Sequence, residues 1–227
     1  MKEKIVYIVI GVLVLMACLI GLVFFINTPN SSPKEDNTST YSEISITDEA
    51  VKELYQNINA SSDLSFNYSL LKDNNITNAY MLGISLASAL NSGKNMPITR
   101  ADLAVYIRKI FGNVTVNYED IILNSQKYSF DSDKEEYNIK EIYDYDKTDK
   151  ILSKLVSAKK STTEYILTIK LVVANPKENN IYSDIDCTTI IGSDENPDIE
   201  KYLNEASTYN YHFTFNGETF VLTSVTK

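Results

Sequence analysis

The sequence predicts an α+β fold: helices packed on an antiparallel β-sheet, preceded by a long apolar N-terminal helix and a polar spacer. Three observations carry this. No charged residue occurs from Ile5 to Ile26. Apolar residues recur with a helical period between 46 and 112, and after Gly112 the period falls to two. Helices first and strands afterwards is the order expected of an α+β domain.

The first element is the apolar run. At about 1.5 Å per residue it covers the roughly 30 Å hydrocarbon core of a bilayer, and it exceeds the about 7–15 residues of a secretory signal. Lys2 and Lys4 precede it, and no basic residue follows until Lys34. The positive-inside bias therefore predicts a transmembrane anchor over 1–27, with the N-terminus cytoplasmic and the C-terminal body extracellular. "LMAC", ending at Cys18, resembles a lipobox, but Met16 fits that pattern poorly and apolar "LIGLVFFI" follows. Residues 28–44, with Pro29, Pro33 and a Ser/Thr/Asn run, have almost nothing to bury and predict a disordered stalk. Residues 45–227 form one extracytoplasmic domain.

Within that domain "ITDEAVKELYQNI" places Val51, Leu54, Tyr55 and Ile58 on one helical face, with Thr47 or Ser45 as the cap. "LSFNYSLL" alternates Leu64, Phe66, Tyr68 and Leu70, an extended pattern. "NAYMLGISLASALNSGK" is a helix stopped by Gly93. In "ITRADLAVYIRKIFG", residues 98–112, Thr99 and Asp102 form a capping box. Ile98 staples onto Leu103, and Leu103, Ile107, Ile110 and Phe111 make the buried stripe.

Beyond Gly112, "NVTVNY" alternates like a strand. "ILSKLVSAKKSTTEYILTIKLVVANP" reads as two long strands about a Ser/Thr turn, with Tyr165, Leu167, Ile169, Leu171 and Val173 on one face. "NNIYSDIDCTTIIG" reads as one further strand. Asn196 caps a short helix with Pro197 at its first position. Asn216-Gly217 predicts a two-residue type I′ hairpin that pairs Phe215 with Glu218, Phe213 with Phe220 and Tyr211 with Leu222. A curved sheet around helices, resembling cystatin-like or nuclear-transport-factor-like folds, is one form of this order.

Composition excludes several functions. The net charge is -9 with a pI near 4.7, and Arg occurs only at Arg100 and Arg108. Nucleic acid, which needs clustered cations, is not an expected partner. Seven Gly, with no P-loop or dinucleotide fingerprint, give phosphates no close backbone approach. The 16 Tyr and absence of Trp follow the Lys/Asn/Tyr-rich usage of an AT-rich genome.

Candidate chemistry is sparse. One Cys and one His, Cys187 and His212, lie beyond the anchor. An anchored, mostly β enzyme using Cys, His and Arg would resemble a sortase. This chain departs from that pattern in the residues before Cys187, in placing the His after the Cys, and in having no Arg beyond Arg108. Four-ligand zinc is excluded by the same count. "DSDKEEYNIKEI" from Asp131 and "DYDKTDKILSKL" from Asp144 carry acids at positions 1 and 3, but lack the Gly at 6 and Glu at 12 of a calcium loop. No cofactor and no catalytic residue are expected.

One stretch has a family resemblance. "ITRADLA", then a helix and Gly, resembles the end of a surface-layer homology repeat, whose typical close is ITRAE-x-A. That likeness implies contact with a cell-wall polymer through Thr99, Arg100 and Asp102; a guanidinium beside a helix N-terminus suits an acidic sugar. It covers about 15 residues, stands as one copy, and has "GKNMP" where the repeat carries an aromatic-x-Pro and a Gly-rich turn. Capping alone also explains Ile98, Thr99, Asp102 and Leu103. The whole layout resembles the uncharacterised single-pass membrane-anchored proteins of AT-rich Gram-positive bacteria, which implies location but no activity. The expected partners are the membrane and an unknown protein or cell-wall ligand. The leading expectation is a non-enzymatic binding module. Wall-polymer binding through the helix at 99–112 is the alternative, and a surface hydrolase or transpeptidase stands behind both.

Overall fold

Residues 40–124, 126–142 and 149–227 are described by a computed structural model. The anchor expected at 1–27, residues 28–39 of the stalk and the start of the Asp144 stretch lie outside them. No helix among the described residues is long and apolar enough to cross a membrane.

Part of the segment expected as disordered stalk, Ser42–Ile44, is a strand. Strand β1 (Ser42–Ile44) pairs antiparallel with β6 (Lys150–Lys160), placing Ile44 opposite Ala158. Helix α1 (Glu49–Ile58) follows and buries Val51, Leu54 and Ile58, as its period predicts. Its cap is Asp48, whose Oδ1 accepts from the Ala50 and Val51 amides at 3.0 and 3.4 Å, rather than Thr47 or Ser45. Those two hydroxyls bond to each other at 2.7 Å. A carboxylate at the positive helix end is favoured over a neutral hydroxyl.

Residues 64–71 are helical, not extended. Helix α2 (Leu64–Asp73) buries Leu64, Asn67, Leu70 and Leu71, a stripe at i, i+3, i+6 and i+7. Asp63 caps it through a 2.9 Å bond from the Ser65 amide, and Asn74 closes it at φ 51°. Helix α3 (Asn78–Asn91) is the central one, with Tyr80, Leu82, Ile84 and Leu86 fully buried. Gly83 lets α2 approach: a Cβ there would sit 3.0 Å from the Phe66 ring. Helix α4 (Arg100–Phe111) follows the predicted pattern, burying Leu103, Ile107, Ile110 and Phe111. These four helices and two antiparallel sheets, where the sequence suggested one sheet, make the α+β architecture.

The smaller sheet has the order β2 (Ile98–Thr99), β5 (Glu136–Ile142), β4 (Gln126–Asp131), β3 (Ile121–Leu123). "NVTVNY" belongs to no strand. Its backbone is held instead by Asn78, whose Oδ1 accepts from the Asn117 amide at 2.9 Å and whose Nδ2 donates to the Asn117 carbonyl at 2.8 Å. A side-chain amide thus replaces a ladder partner.

The larger sheet has the order β1, β6, β7 (Glu164–Asn175), β10 (Ser207–Phe215), β11 (Phe220–Thr226). Tyr165, Leu167, Ile169, Leu171 and Val173 of β7 enter the main core with the helices. Val172 and Ala174 face the other way. With Ile181 and Ala206 they form a second small core, packed by Ile199 and Tyr202. "NNIYSDIDCTTIIG" supplies two strands, β8 (Asn180–Tyr182) and β9 (Ile190–Ser193), with a loop between. The short helix is a 3₁₀ turn, Ile199–Tyr202, capped by Asp198 and not by Asn196.

The final hairpin turns one residue later than predicted. Phe215 pairs with Phe220, Phe213 with Leu222, and, after a bulge, Tyr211 with Val225. Gly217 alone has positive φ, +98°, and the Asn216 amide donates to Thr219 O at 3.0 Å. The two central residues of the turn are therefore Gly217 and Glu218, with the glycine in the first, positive-φ position, as a type II′ turn requires. Asn216 stays out of the left-handed region because its Oδ1 accepts from the Glu218 and Thr219 amides, both at 3.0 Å.

Candidate functional site

The predicted wall-contact residues meet at the start of α4. Thr99 Oγ1 accepts from the Asp102 amide at 3.0 Å and donates to Asp102 Oδ2 at 2.8 Å, so the capping box is present. Lys94 Nζ lies 2.7 Å from Asp102 Oδ1. The Lys94 ammonium, then the Thr99 hydroxyl, hold the Asp102 carboxyl below its ordinary range. Arg100 Nη1 lies 2.8 Å from Glu135 Oε1, and its guanidinium covers the Tyr118 ring at 5.0 Å. The Arg100 and Glu135 side chains are 53% and 58% exposed, so an incoming anion would compete with a weak surface pair. Lys94 and Glu135 were not foreseen as partners; each sits far from α4 in sequence or across a strand pairing.

Cys187 and His212 are not brought together. The Cys187 thiol has Asp149 Oδ2 at 3.9 Å and the Ile185 carbonyl at 4.0 Å. Burial, then the charges of Asp149, Asp184 and Asp186, push it up to about 11. Such a thiol is protonated at neutral pH and a poor nucleophile. His212 Nδ1 contacts Glu164 Oε1 at 2.8 Å and Nε2 contacts Thr226 Oγ1 at 3.2 Å. Cys187 lines a cavity of about 640 Å³ with Asp63, Tyr68, Asp149 and Asp186. Two of its acids are engaged: Asp63 caps α2, and Asp186 takes Tyr68 OH at 2.6 Å and the Lys72 ammonium. The third, Asp149, has the Cys187 thiol as its side-chain neighbour, and burial raises its carboxyl above the ordinary range. Asp131 closes the β4–β5 turn, accepting from the Asp133 and Lys134 amides at 3.0 and 3.2 Å. No cluster of metal-ligating side chains occurs among the described residues.

The more suggestive geometry lies where α1, α3 and α4 converge. A cleft of about 420 Å³ opens there, within the roughly 300–1,000 Å³ typical of ligand sites. The C-terminal turn of α1 contributes Tyr55, Gln56 and Asn57; α3 contributes Ser88 and Asn91; α4 contributes Tyr106 and Lys109. Asn91 Nδ2 donates to the Ala60 carbonyl at 2.9 Å, and Ser92 shares a hydrogen bond with Tyr106 OH. Lys109 is the one cation of the lining, and Glu53 holds it at 2.9 Å. Asn57 is different. It is only 8% exposed, and its carboxamide has no hydrogen-bond partner among the described residues but still meets water. The Ser88 hydroxyl of the same lining is buried without a partner.

Sequence reasoning passed over Asn57 because Asn is abundant throughout the chain. A signal was present: Val51, Leu54, Asn57 and Ile58 fall at i, i+3, i+6 and i+7, so the amide interrupts a buried stripe. No family model matches the chain, and neither a curated protein nor a solved structure matches it.

Proposed function

We propose that this chain is a single-pass membrane protein that displays a non-enzymatic α+β binding module outside the cell. In this reading residues 1–27 span the bilayer with the N-terminus cytoplasmic, and a short polar stalk leads to the domain that begins near Thr40. The observation that carries the binding role is the polar cleft between α1, α3 and α4, into whose lining Asn57 brings a carboxamide with no protein partner. The raised thiol of Cys187 supports the non-enzymatic reading.

A second reading places a cell-wall polymer at Thr99, Arg100 and Asp102. It is favoured by the exposure of the Arg100 side chain at the α4 N-terminus. Two experiments test these readings. Protease added to intact cells should remove the C-terminal domain; protection until the cells are permeabilised would overturn the topology. Full-length chain in micelles of a sugar-free detergent should sediment with insoluble wall material. Loss of sedimentation in Asn57→Leu favours the cleft, and loss in Arg100→Ala favours the polymer site at α4.

A further inference from the structure

We propose that the domain rests one end of its larger sheet on the lipid bilayer, with Phe215, Val114 and Tyr41 seated at the level of the headgroups. This rests on the single-pass reading of residues 1–27 and adds to it which surface of the domain meets the membrane.

Strand pairing brings these residues to one end of the sheet. Ser42 pairs with Lys160, Lys160 with Tyr165, Tyr165 with Phe213, and Phe215 with Phe220. The Phe215 amide donates to the Thr163 carbonyl at 2.8 Å, so the β6–β7 and β10–β11 turns lie side by side. Tyr41, just before β1, donates its hydroxyl to Glu164 at the start of β7. Gly112 packs against the second turn, where a Cβ would sit 2.9 Å from Asn216 Nδ2, and Val114 follows two residues later.

This end presents apolar surface beside ammonium groups. Phe215 is 42% exposed, Val114 43% and Tyr41 38%. The Phe215 ring lies 5.3 Å from that of Phe220, which meets Tyr165 edge-on at 4.6 Å. Lys160 covers the Tyr165 ring at 4.8 Å, and Lys159 faces Glu43 at 3.4 Å. Aromatic rings suit the boundary where acyl chains give way to headgroups, and lysine stems reach from there to the phosphates. Acids balance the lysines: Glu43 on Lys159, Glu164 beside His212, and exposed Glu218 in the turn. The contact is therefore apolar rather than electrostatic, in keeping with a net charge of -9.

The tether selects a bilayer over a soluble partner. Residues 28–39 join the anchor to Thr40, and at about 3.3–3.6 Å per residue they reach no further than about 40 Å. The chain enters the domain at Tyr41, at the same end that carries Phe215. The opposite end of β7 differs: its turn is Pro176, Lys177, Glu178 and Asn179, and the exposed Ile190 there follows Thr188 and Thr189. Ile190 lies level with Val173 through Tyr182, and from Tyr165 to Val173 is about 27 Å at about 3.4 Å per residue.

The chain contains no Trp, so a single substitution supplies its only indole. The test reconstitutes the full chain carrying Phe215→Trp, Val114→Trp, Ile190→Trp or Leu13→Trp in phosphatidylcholine vesicles. Emission is compared with that in vesicles of phosphatidylcholine brominated on its acyl chains, which quenches an indole only close to those chains. Phe215→Trp and Val114→Trp should be quenched, and blue-shifted relative to Ile190→Trp, at low and high salt alike. Adding Phe215→Ser to Val114→Trp should weaken its quenching. The proposal is overturned if either of the two escapes quenching, if Ile190→Trp, the more exposed position at 57%, is quenched as strongly, or if high salt abolishes the effect. A quenched Leu13→Trp beside an unquenched Phe215→Trp would remove the docking and leave the anchor. An unquenched Leu13→Trp would remove the single-pass reading, and the docking with it.

Discussion

Replacing Asn57 by Leu should make the free protein more stable. The substitution nearly conserves side-chain size in the last turn of α1, on the face that already buries Leu54 and Ile58. Asn57 is 8% exposed, and its carboxamide atoms keep contact with water, so the substitution recovers no desolvation penalty. Leu is the better helix former than Asn, by about 0.4 kcal/mol, and that is the gain expected. For a domain of this size, 1 kcal/mol moves Tm by about 2–4 °C, giving a rise of about 1–2 °C. Thermal unfolding of the full chain, followed by near-ultraviolet circular dichroism from its tyrosines, measures this directly. A Tm that falls would show that the Asn57 carboxamide has a stabilising partner in the folded chain. A stability gain coupled to a binding loss is what separates a functional group from a structural one.

Four further outcomes are expected. Gly112 sits at φ 77° and ψ -153°, a region open essentially to Gly, and a Cβ there would lie 2.9 Å from Asn216 Nδ2. Gly112→Ala should cost about 1–3 kcal/mol and lower Tm accordingly; an unchanged Tm would contradict the assigned backbone. Thr99→Ala removes the α4 cap and should cost about 1 kcal/mol by denaturant unfolding, whether or not any polymer binds there. Asp102, held low by Lys94 and Thr99, favours the fold while ionised, so its contribution is present above the ordinary carboxylate pKa and lost as pH falls through the depressed value. Carboxyl NMR should show a midpoint below 3.8 that rises in Lys94→Met. Cys187, raised from 9.0 to about 11, should resist iodoacetamide at neutral pH in peptide mapping of the native chain; its neutral thiol favours the fold below 9.0, and that contribution is lost as pH climbs to about 11.

Where local chemistry acts alone, the sequence was a good guide to the fold. The α4 capping box, its buried stripe and the Gly112 stop all depend on residues within one turn of each other. The β6 and β7 strands are long enough for a period of two to be unmistakable. The α2 segment failed because eight residues cannot separate periods. Leu64, Phe66, Tyr68 and Leu70 alternate, yet buried Leu70 and Leu71 are adjacent, which a one-faced strand forbids and a helix permits. Asn67, a buried polar group bonded at 2.7 Å to the Asp63 carbonyl, hid the true stripe. The hairpin failed because Asn-Gly serves two turns. It can supply both central residues of a type I′ turn, or place Gly first in a type II′ turn with the Asn side chain capping the loop. Only the Asn216 bonds to Glu218 and Thr219 distinguish them.

The candidate site was harder to see because its defining property is a missing contact. Thr99, Arg100 and Asp102 stood out through a motif, yet each finds a partner: Thr99 and Asp102 each other, Asp102 also Lys94, and Arg100 Glu135 with Tyr118. Asn57 matches no motif and finds none. Its meaning depends on Ser88, Asn91 and Tyr106, which arrive from helices distant in sequence and close the cleft around it without satisfying it. Period alone could have marked the position, since an amide at i+6 between Leu54 and Ile58 must either be paired across the core or reach the surface. Folding satisfied Asn67 by the first route, through the Asp63 carbonyl. Asn57 took the second, at the wall of the cleft, and this difference between two asparagines marks where the surface opens between α1, α3 and α4.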